Sequence, residues 1–287
     1  MEKVSGELSY DRFVVPYRKY GSSNKVIVCL SGAKQTMSAW RSFISYFHHE
    51  YSVVVFDMPG QGRAKIISGA AGVSLNEQVD VLNQVVLDAL DETVVEKYVF
   101  GGSWGSIVAA AYAERHPDVF DKVILGSFGT KPNMVLSSII EQVQMMIGDG
   151  GEKNIAPMMI EKFGQYIPEI LKRQIITQFD KMTDAQFQSF YEHSVFVTQM
   201  GDLKELVNLK NIRVPTLVVM GQYDTIMDLF DTRKATQLIP NGEFLLIKGA
   251  GHFLHWEKEQ IMSVYESFFQ RKALESETQQ ATLGECN

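Results

Sequence analysis

Short apolar runs rich in valine, isoleucine and phenylalanine recur along the chain. They predict six strands, at residues 26–30, 51–57, 97–101, 121–126, 215–221 and 243–249. These runs are continuous rather than alternating, which is typical of parallel strands that are covered by helices on both faces. Apolar positions with helical spacing lie between them at 75–90, where Ser74 and Glu77 form a capping box. Further helices are predicted near 105–115, 231–238 and 256–271. The alternation predicts an α/β fold with a mostly parallel, doubly wound sheet.

The alternation of strands and helices stops between about residues 130 and 204. This segment reads as several helices, so we expect a helical cap over 130–204 that is inserted into a core of residues 1–129 and 205–272. Seven of the 13 methionines lie in it: Met134, Met145, Met146, Met158, Met159, Met182 and Met200. Methionine suits a pocket for a flexible apolar ligand, but it also fills irregular gaps in a core. We expect an apolar substrate pocket lined by Met134, Met145, Met158, Phe163, Phe190 and His193. Phe187 and Phe196 are further candidates for its lining.

Composition narrows the functional classes. The chain has 287 residues, 45% hydrophobic, with a net charge of −7 and no cluster of lysine and arginine, which argues against nucleic acid as the main partner. There is no apolar stretch long enough for a signal peptide or a membrane span, so we expect a cytoplasmic protein. Cys29 lies in an apolar run and Cys286 in a polar tail at 273–287 that we expect to be disordered, which argues against a disulfide. No metal or cofactor is predicted, and the oligomeric state stays open.

The stretch Gly101-Gly102-Ser103-Trp104-Gly105 has the pattern G-x-S-x-G. It follows a predicted strand and precedes an alanine-rich predicted helix, which is the setting of a nucleophilic serine on a strained turn. Ser103 would then lie at a helix N-terminus, where backbone N–H groups favour developing negative charge. The alternative is a small residue in a tight turn. A serine hydroxyl is a poor nucleophile without a base, so the first interpretation requires a histidine and a carboxylate downstream.

Both residue types follow predicted strands. Asp224 comes after the strand at 215–221 and His252 after the strand at 243–249, so their loops share one sheet edge with Ser103. The order Ser, Asp, His suits this arrangement. Asp228 and His255 are alternative candidates for the acid and the base. The backbone N–H groups of Ala33 and Trp104 are candidate donors of an oxyanion hole. The remaining histidines outside the cap are expected at the surface or at helix ends: His48, His49 and His116.

Several motifs carry a family likeness: "LSGAKQTMSAW", "FDMPGQGRA", "GGSWGS", "RHPDVFDKVIL", "VPTLVVMGQYD" and "GAGHF". With them the chain resembles the α/β-hydrolase fold superfamily. The resemblance implies Ser103 as nucleophile, Asp224 as acid and His252 as base. Two positions depart from the usual pattern, Ser31 in place of histidine and Ala64 in place of serine, which suggests an altered entrance loop. Serine at the elbow argues against the dehalogenases and epoxide hydrolases, in which aspartate stands there.

A weaker likeness concerns "EKFGQYIPEILKRQI", "TQMGDLKEL" and "GAGHFLHWE". These stretches are similar to the acyltransferases that join two 3-hydroxyacyl units into the lipid part of rhamnolipids. We expect a serine esterase, thioesterase or acyltransferase that acts on an apolar acyl ester or thioester through a Ser103 acyl-enzyme. A 3-hydroxyacyl-joining transferase is the alternative, and a non-catalytic small-molecule-binding protein is a lesser one. Residues 130–200 contain six lysines and arginines but eight aspartates and glutamates, so we expect no basic docking face for an acidic carrier protein.

Overall fold

The computed structural model describes residues 3–271. Its strands are β1 (Lys3–Tyr10), β2 (Phe13–Tyr20), β3 (Lys25–Leu30), β4 (Ser52–Phe56), β5 (Lys65–Ile66), β6 (Glu96–Gly102), β7 (Lys122–Gly126), β8 (Thr216–Gly221) and β9 (Gly242–Ile247). Its α-helices are α1 (Arg41–Phe47), α2 (Leu75–Ala89), α3 (Trp104–Arg115), α4 (Met134–Gly148), α5 (Ile155–Phe163), α6 (Glu169–Asp180), α7 (Asp184–Met200), α8 (Leu229–Thr236) and α9 (Ile261–Gln270). Cys286 and the predicted disordered tail lie outside the described residues.

All the strands belong to one sheet. Their order is β1-β2-β4-β3-β6-β7-β8-β9, with β5 beside β2. Six neighbouring strands are parallel, namely β4, β3, β6, β7, β8 and β9. Strand β2 pairs in antiparallel fashion with β1, β4 and β5. Each of the six predicted strands is present, and the predicted fold class is confirmed. Sequence reasoning missed the β1–β2 hairpin because much of it is exposed or half-buried, so it lacks the continuous apolar run of a buried strand.

Helices cover both faces of the sheet and bury two apolar clusters. The larger cluster joins α2, α3 and part of α8 to one face, and the other joins α1 and α9 to the opposite face. Helix α2 begins as the sequence predicts: the Ser74 hydroxyl accepts from the Glu77 backbone N–H, and the Glu77 carboxylate accepts from the Ser74 N–H. Within residues 3–271, no helix is both long and apolar enough to cross a membrane.

Helices α4 to α7 lie between β7 and β8, and we call them the inserted helices. They hold a third apolar cluster, which includes Ile139, Ile155, Phe179 and Phe190, together with Ile226 from the loop after β8. Because this cluster is separate from those on the sheet, the inserted helices pack largely through their own residues. The boundaries of a separate cap domain stay a prediction.

Candidate active site

Ser103 lies on a sharp turn between β6 and α3. Its backbone has φ 51° and ψ −121°, a left-handed conformation that side chains other than glycine rarely adopt. A Cβ on Gly101 would come within 2.2 Å of the Gly105 carbonyl oxygen, and one on Gly105 within 2.3 Å of the Leu30 carbonyl oxygen. Positions 101 and 105 must therefore be glycine for the helix to pass this close to the strands. The Ser103 N–H donates to the Gly126 carbonyl of β7 (2.8 Å), which anchors the turn to the sheet.

The structure brings Ser103, His252 and Asp224 into one chain of hydrogen bonds. His252 Nε2 lies 2.9 Å from Ser103 Oγ, and His252 Nδ1 lies 2.8 Å from Asp224 Oδ2. The other carboxylate oxygen of Asp224 accepts from the backbone N–H groups of Ile226 and Met227, at 3.1 Å each. The Asp224 side chain is fully buried and that of His252 is 3% exposed. An imidazole nitrogen therefore lies within hydrogen-bonding distance of the serine hydroxyl, and a buried carboxylate holds the imidazole in place.

Two residues that sequence reasoning missed hold the His252 loop. Glu257 accepts from the backbone N–H groups of Gly251 and Phe253, which flank His252, and burial raises the pKa of Glu257. The Ser127 hydroxyl, just after β7, donates to the His252 carbonyl oxygen (2.6 Å). The carboxylate in "GHFLHWE" was a signal for the first contact, but no sequence pattern links Ser127 to a loop 125 residues away.

The alternative acid and base take other places. Asp228 caps α8, where its carboxylate accepts from the Asp231 N–H (2.8 Å). His255 is enclosed by aromatic side chains, with its ring 5.4 Å from that of Trp40, and burial lowers its pKa to about 4. Neither ring nitrogen of His255 has a hydrogen-bond partner among the described residues. Neither alternative therefore joins the chain of hydrogen bonds at Ser103.

Two residues that line the cleft beside Ser103 have backbone N–H groups without an acceptor among the described residues. Those of Ala33 and Trp104 donate to no acceptor within residues 3–271, and both residues line the cleft. The Ala33 loop is held by Gln35, whose side chain accepts from the Gly32 N–H (3.0 Å). Ser31, the position that departs from the family pattern, accepts a hydrogen bond from the Trp40 indole N–H (2.9 Å). The two N–H groups are free to bind an oxyanion.

A cleft of about 2050 Å³ opens above these residues, with much of its wall supplied by the inserted helices. Three of the six predicted pocket residues line it, namely Phe163, Phe190 and His193. The other three do not: Met134 and Met145 are 89% and 60% exposed to solvent, and Met158 is buried in the apolar cluster. For Met134 and Met145 the physical reason is the rotation of α4, which turns Ile139, Ile140 and Val143 inward and these two methionines outward. The methionines that do line the cleft are Met37, Met159, Met182, Met200 and Met227.

Charged residues of the cleft are nearly all basic. Glu259 is the one carboxylate that lines it within the described part of the chain, against eight lysines and arginines: Lys3, Arg18, Lys34, Arg41, Arg63, Lys131, Arg173 and Lys181. The charge count over residues 130–200 did not reveal this, because five of these eight side chains lie outside that range and the acidic side chains of the inserted helices do not line the cleft. Residues 3–271 contain no group of three His, Cys, Asp or Glu side chains that would hold a metal ion.

Comparisons with known proteins identify the fold and its relatives. The chain matches the sequence profile of the alpha/beta hydrolase fold over residues 25–157 and 157–259. An (R)-3-hydroxydecanoyl-ACP:CoA transacylase of Pseudomonas aeruginosa is 20% identical over 83% of this chain and 79% of its own length. A 2-hydroxy-6-oxononadienedioate/2-hydroxy-6-oxononatrienedioate hydrolase of Paraburkholderia phymatum is 24% identical over 85% of this chain and 86% of its own. These relatives are enzymes of the hydrolase and acyltransferase kinds.

Solved structures agree with the profile. An α/β-hydrolase enzyme from a Medee basin deep-sea metagenome library superimposes with a TM-score of 0.78 at 18% identity, covering 93% of this chain and 98% of that one. The enol-lactonase of Burkholderia xenovorans gives a TM-score of 0.77 at 14% identity, covering 93% and 100%. At these identities the likeness establishes a shared fold, and the activity must be argued from the site.

Proposed function

The chain belongs to the α/β-hydrolase fold family, and we propose that it is a serine enzyme that cleaves or transfers an apolar acyl group from an ester or thioester. The observation that carries the proposal is the hydrogen-bonded chain Ser103–His252–Asp224 beside two unused backbone N–H groups. In this proposal Ser103 is the nucleophile, His252 the general base and Asp224 the residue that orients it. Ala33 and Trp104 supply the oxyanion hole.

The first half-reaction forms an acyl-enzyme. His252 Nε2 takes the proton of Ser103 Oγ while Oγ bonds to the substrate carbonyl carbon, and the carbonyl oxygen becomes an oxyanion. The N–H groups of Ala33 and Trp104 stabilise that charge. Collapse of the intermediate breaks the C–O or C–S bond, and His252 returns the proton to the departing oxygen or sulfur. The buried Asp224 carboxylate stabilises the imidazolium during these steps.

The second half-reaction releases the acyl group to water or to another acceptor. His252 takes a proton from the acceptor as its oxygen or sulfur attacks the acyl carbon, and Ser103 Oγ leaves with the proton that His252 returns. Water as the acceptor gives a free acid, and the enzyme is then a hydrolase. An acceptor hydroxyl or thiol gives a new ester or thioester, and the enzyme is then a transferase.

The walls of the cleft support an apolar acyl group attached to an anionic carrier. Apolar side chains of the inserted helices lie around the entrance to Ser103, including Ile140, Val143 and Phe163. The basic side chains that line the cleft favour the phosphates of a coenzyme A thioester or the carboxylates of an acidic carrier protein. This charge pattern, together with the name of the transacylase relatives, favours acyl transfer as the second candidate function. Joining of 3-hydroxyacyl units is one form of such a transfer.

The experiment is active-site labelling followed by product analysis. A fluorophosphonate probe should label the protein, and an acyl p-nitrophenyl ester should leave an acyl group on Ser103 that mass spectrometry can locate. Ser103→Ala should abolish both, whereas Ser263→Ala, at an exposed position of α9, should change neither. Labelling that persists in Ser103→Ala would refute the proposed nucleophile.

Product analysis then separates the two functions. The wild-type protein is incubated with an acyl thioester, either alone or with coenzyme A or a 3-hydroxy fatty acid as acceptor. Free acid as the main product in every mixture would identify a hydrolase. A new thioester or ester that requires Ser103 would identify a transferase.

A further inference from the structure

A lysine side chain is buried inside the cleft without a carboxylate partner. Lys34 follows Ala33 in the loop after β3 and is 5% exposed. Its ammonium donates to the Gly60 carbonyl (2.9 Å) and the Ser189 hydroxyl (3.1 Å), and no ion pair within residues 3–271 involves it. An ammonium has three N–H donors, so one is left over. Burial lowers the pKa of Lys34 to about 7, because no counter-charge offsets the lost hydration.

The position of Lys34 is fixed from several elements. Its backbone has φ 58°, a left-handed conformation that is unfavourable for lysine. The Lys34 N–H donates to the Gln61 side chain, and the Lys34 carbonyl accepts from the side chain of Gln178 in α6. An unfavourable backbone conformation together with a buried charge persists only where the surroundings determine it strongly, and such positions cluster at functional sites.

A histidine without hydrogen bonds stands on the same wall of the cleft. His193 lies four residues after Ser189 on α7, so the two side chains share a helix face with Cβ atoms roughly 5–6 Å apart. Its imidazole lines the cleft and makes no hydrogen bond with another described residue. The ring packs at 87° to that of Trp104, with centroids 4.4 Å apart. Burial and the nearby Lys34 lower the pKa of His193 to about 3, so it is neutral near pH 7.

We infer that Lys34 and His193 form a polar subsite that binds a hydroxyl group on the acyl chain of the substrate, near the carbonyl carbon that Ser103 attacks. This inference rests on the proposed function. A neutral histidine offers one donor and one acceptor nitrogen, and Lys34 offers a donor. A hydroxyl group can accept from Lys34 and donate to the acceptor nitrogen of His193 at once.

The position of the subsite indicates where along the acyl chain the hydroxyl lies. Lys34 is the next residue after Ala33, and the His193 ring packs on the Trp104 ring, so each subsite residue adjoins a residue that carries a proposed oxyanion donor. The acyl carbonyl is held at those donors, and a substituent that reaches the subsite must therefore lie within a few carbons of it. A 3-hydroxyacyl chain fits this description. The remainder of such a chain would extend along the apolar wall formed by the inserted helices.

A purely structural role for Lys34 makes a different prediction. Through Gly60, Ser189 and Gln178 this residue ties the core to α6 and α7. If that tie were its whole contribution, its loss would loosen the cleft and slow every substrate alike. A hydroxyl subsite instead affects only substrates that carry the hydroxyl. The discriminating quantity is therefore the ratio of kcat/KM between a hydroxylated and an unsubstituted acyl chain.

The experiment measures consumption of the N-acetylcysteamine thioesters of decanoic and 3-hydroxydecanoic acid. The variants are Lys34→Met, which keeps an unbranched chain of similar length, and His193→Phe, which keeps a ring. Lys153→Met is the matched control, because Lys153 is exposed and outside the cleft. Thermal unfolding of each variant reports whether it is folded. If Lys34→Met does not fold, His193→Phe provides the same test.

We expect kcat/KM of the wild type to be about 10- to 100-fold higher for the hydroxylated chain, which is the factor that a hydrogen bond to a charged group usually contributes. Lys34→Met should lower kcat/KM for the hydroxylated thioester much more than for the decanoyl thioester, so that most of this preference is lost, and His193→Phe should move in the same direction. Lys153→Met should match the wild type. Equal loss on both substrates, or no preference in the wild type, would overturn the subsite while Ser103-dependent turnover still supports the proposed function. Turnover that does not depend on Ser103 would overturn both.

Discussion

The buried ammonium of Lys34 should make the stability of the protein depend on pH in a direction that can be measured. The pKa of Lys34 is about 7 in the folded protein, against 10.5 for an ordinary lysine. Between these values the unfolded chain holds the proton and the folded protein has released it, so stability rises with pH across this window and is lost as pH falls towards 7. Below pH 7 both states are protonated, and the destabilisation reaches its full size.

The magnitude follows from the shift. One proton difference changes the free energy of unfolding by about 1.4 kcal/mol per pH unit. Since Lys34 is half protonated at pH 7, the gain between pH 7 and pH 9 is about 2 kcal/mol. Lys34→Met has no proton to release at this position and lacks that gain. His193 titrates far below this range and does not contribute.

The assay is urea unfolding of the wild type and Lys34→Met at pH 7, 8 and 9. Other titrating groups contribute equally to both proteins and cancel in the difference of their unfolding free energies. That difference should shift by about 2 kcal/mol in favour of the wild type as the pH rises from 7 to 9. The loss of two hydrogen bonds in the variant adds an offset that does not vary with pH. A difference that stays constant would refute the argument that Lys34 is a charge buried without a counter-charge.

Three further predictions concern catalysis and substrate. Asp224→Asn should lower kcat for p-nitrophenyl esters by roughly 10³- to 10⁴-fold, because it disturbs the tautomer and charge of His252; a larger loss in Asp228→Asn would show that the wrong carboxylate was chosen. For esters from acetyl to decanoyl, kcat/KM should rise with length, since each buried methylene contributes about 0.8 kcal/mol; a maximum at acetyl would mean that the apolar wall does not hold the acyl chain. Arg173→Glu, on the exposed side of α6, should raise KM for a decanoyl coenzyme A thioester but not for the N-acetylcysteamine thioester. Equal effects on the two thioesters would show that the basic side chains of the cleft do not bind the carrier.

The sequence was sufficient for features that depend on neighbouring residues. A buried parallel strand needs a continuous apolar run, so β3, β4, β6, β7 and β8 were visible as such runs, and so was the half-buried edge strand β9. The turn at Ser103 needs small residues on both sides, and the spacing of its glycines revealed it. The capping box of α2 is likewise a contact between residues three positions apart. In each case the physical cause lies within a few residues along the chain.

The candidate active site shows which contacts the sequence predicts and which it does not. Strand order and parallel pairing predicted that the loops carrying Ser103, Asp224 and His252 meet at one edge, and the structure brings the three side chains to hydrogen-bonding distance. The contacts that hold the His252 loop were not predicted, because Ser127 has no sequence pattern that identifies its partner. Lys34 and His193 lie 159 residues apart, and no sequence pattern links them. Burial, which gives both residues their unusual pKa values, exists only once the inserted helices pack over the loop after β3.

The cleft itself was decided by the tertiary structure. Helical spacing shows that a helix has an apolar face, but α4 and α5 are apolar on much of their circumference, so packing determined which of their side chains turn inward. Met134 and Met145 point to solvent while Ile139, Ile140 and Val143 of the same helix point to the cleft. The same holds for charge. A sum over residues 130–200 is negative, yet the cleft is basic because electrostatic potential depends on which side chains converge in space and not on which are adjacent in the chain.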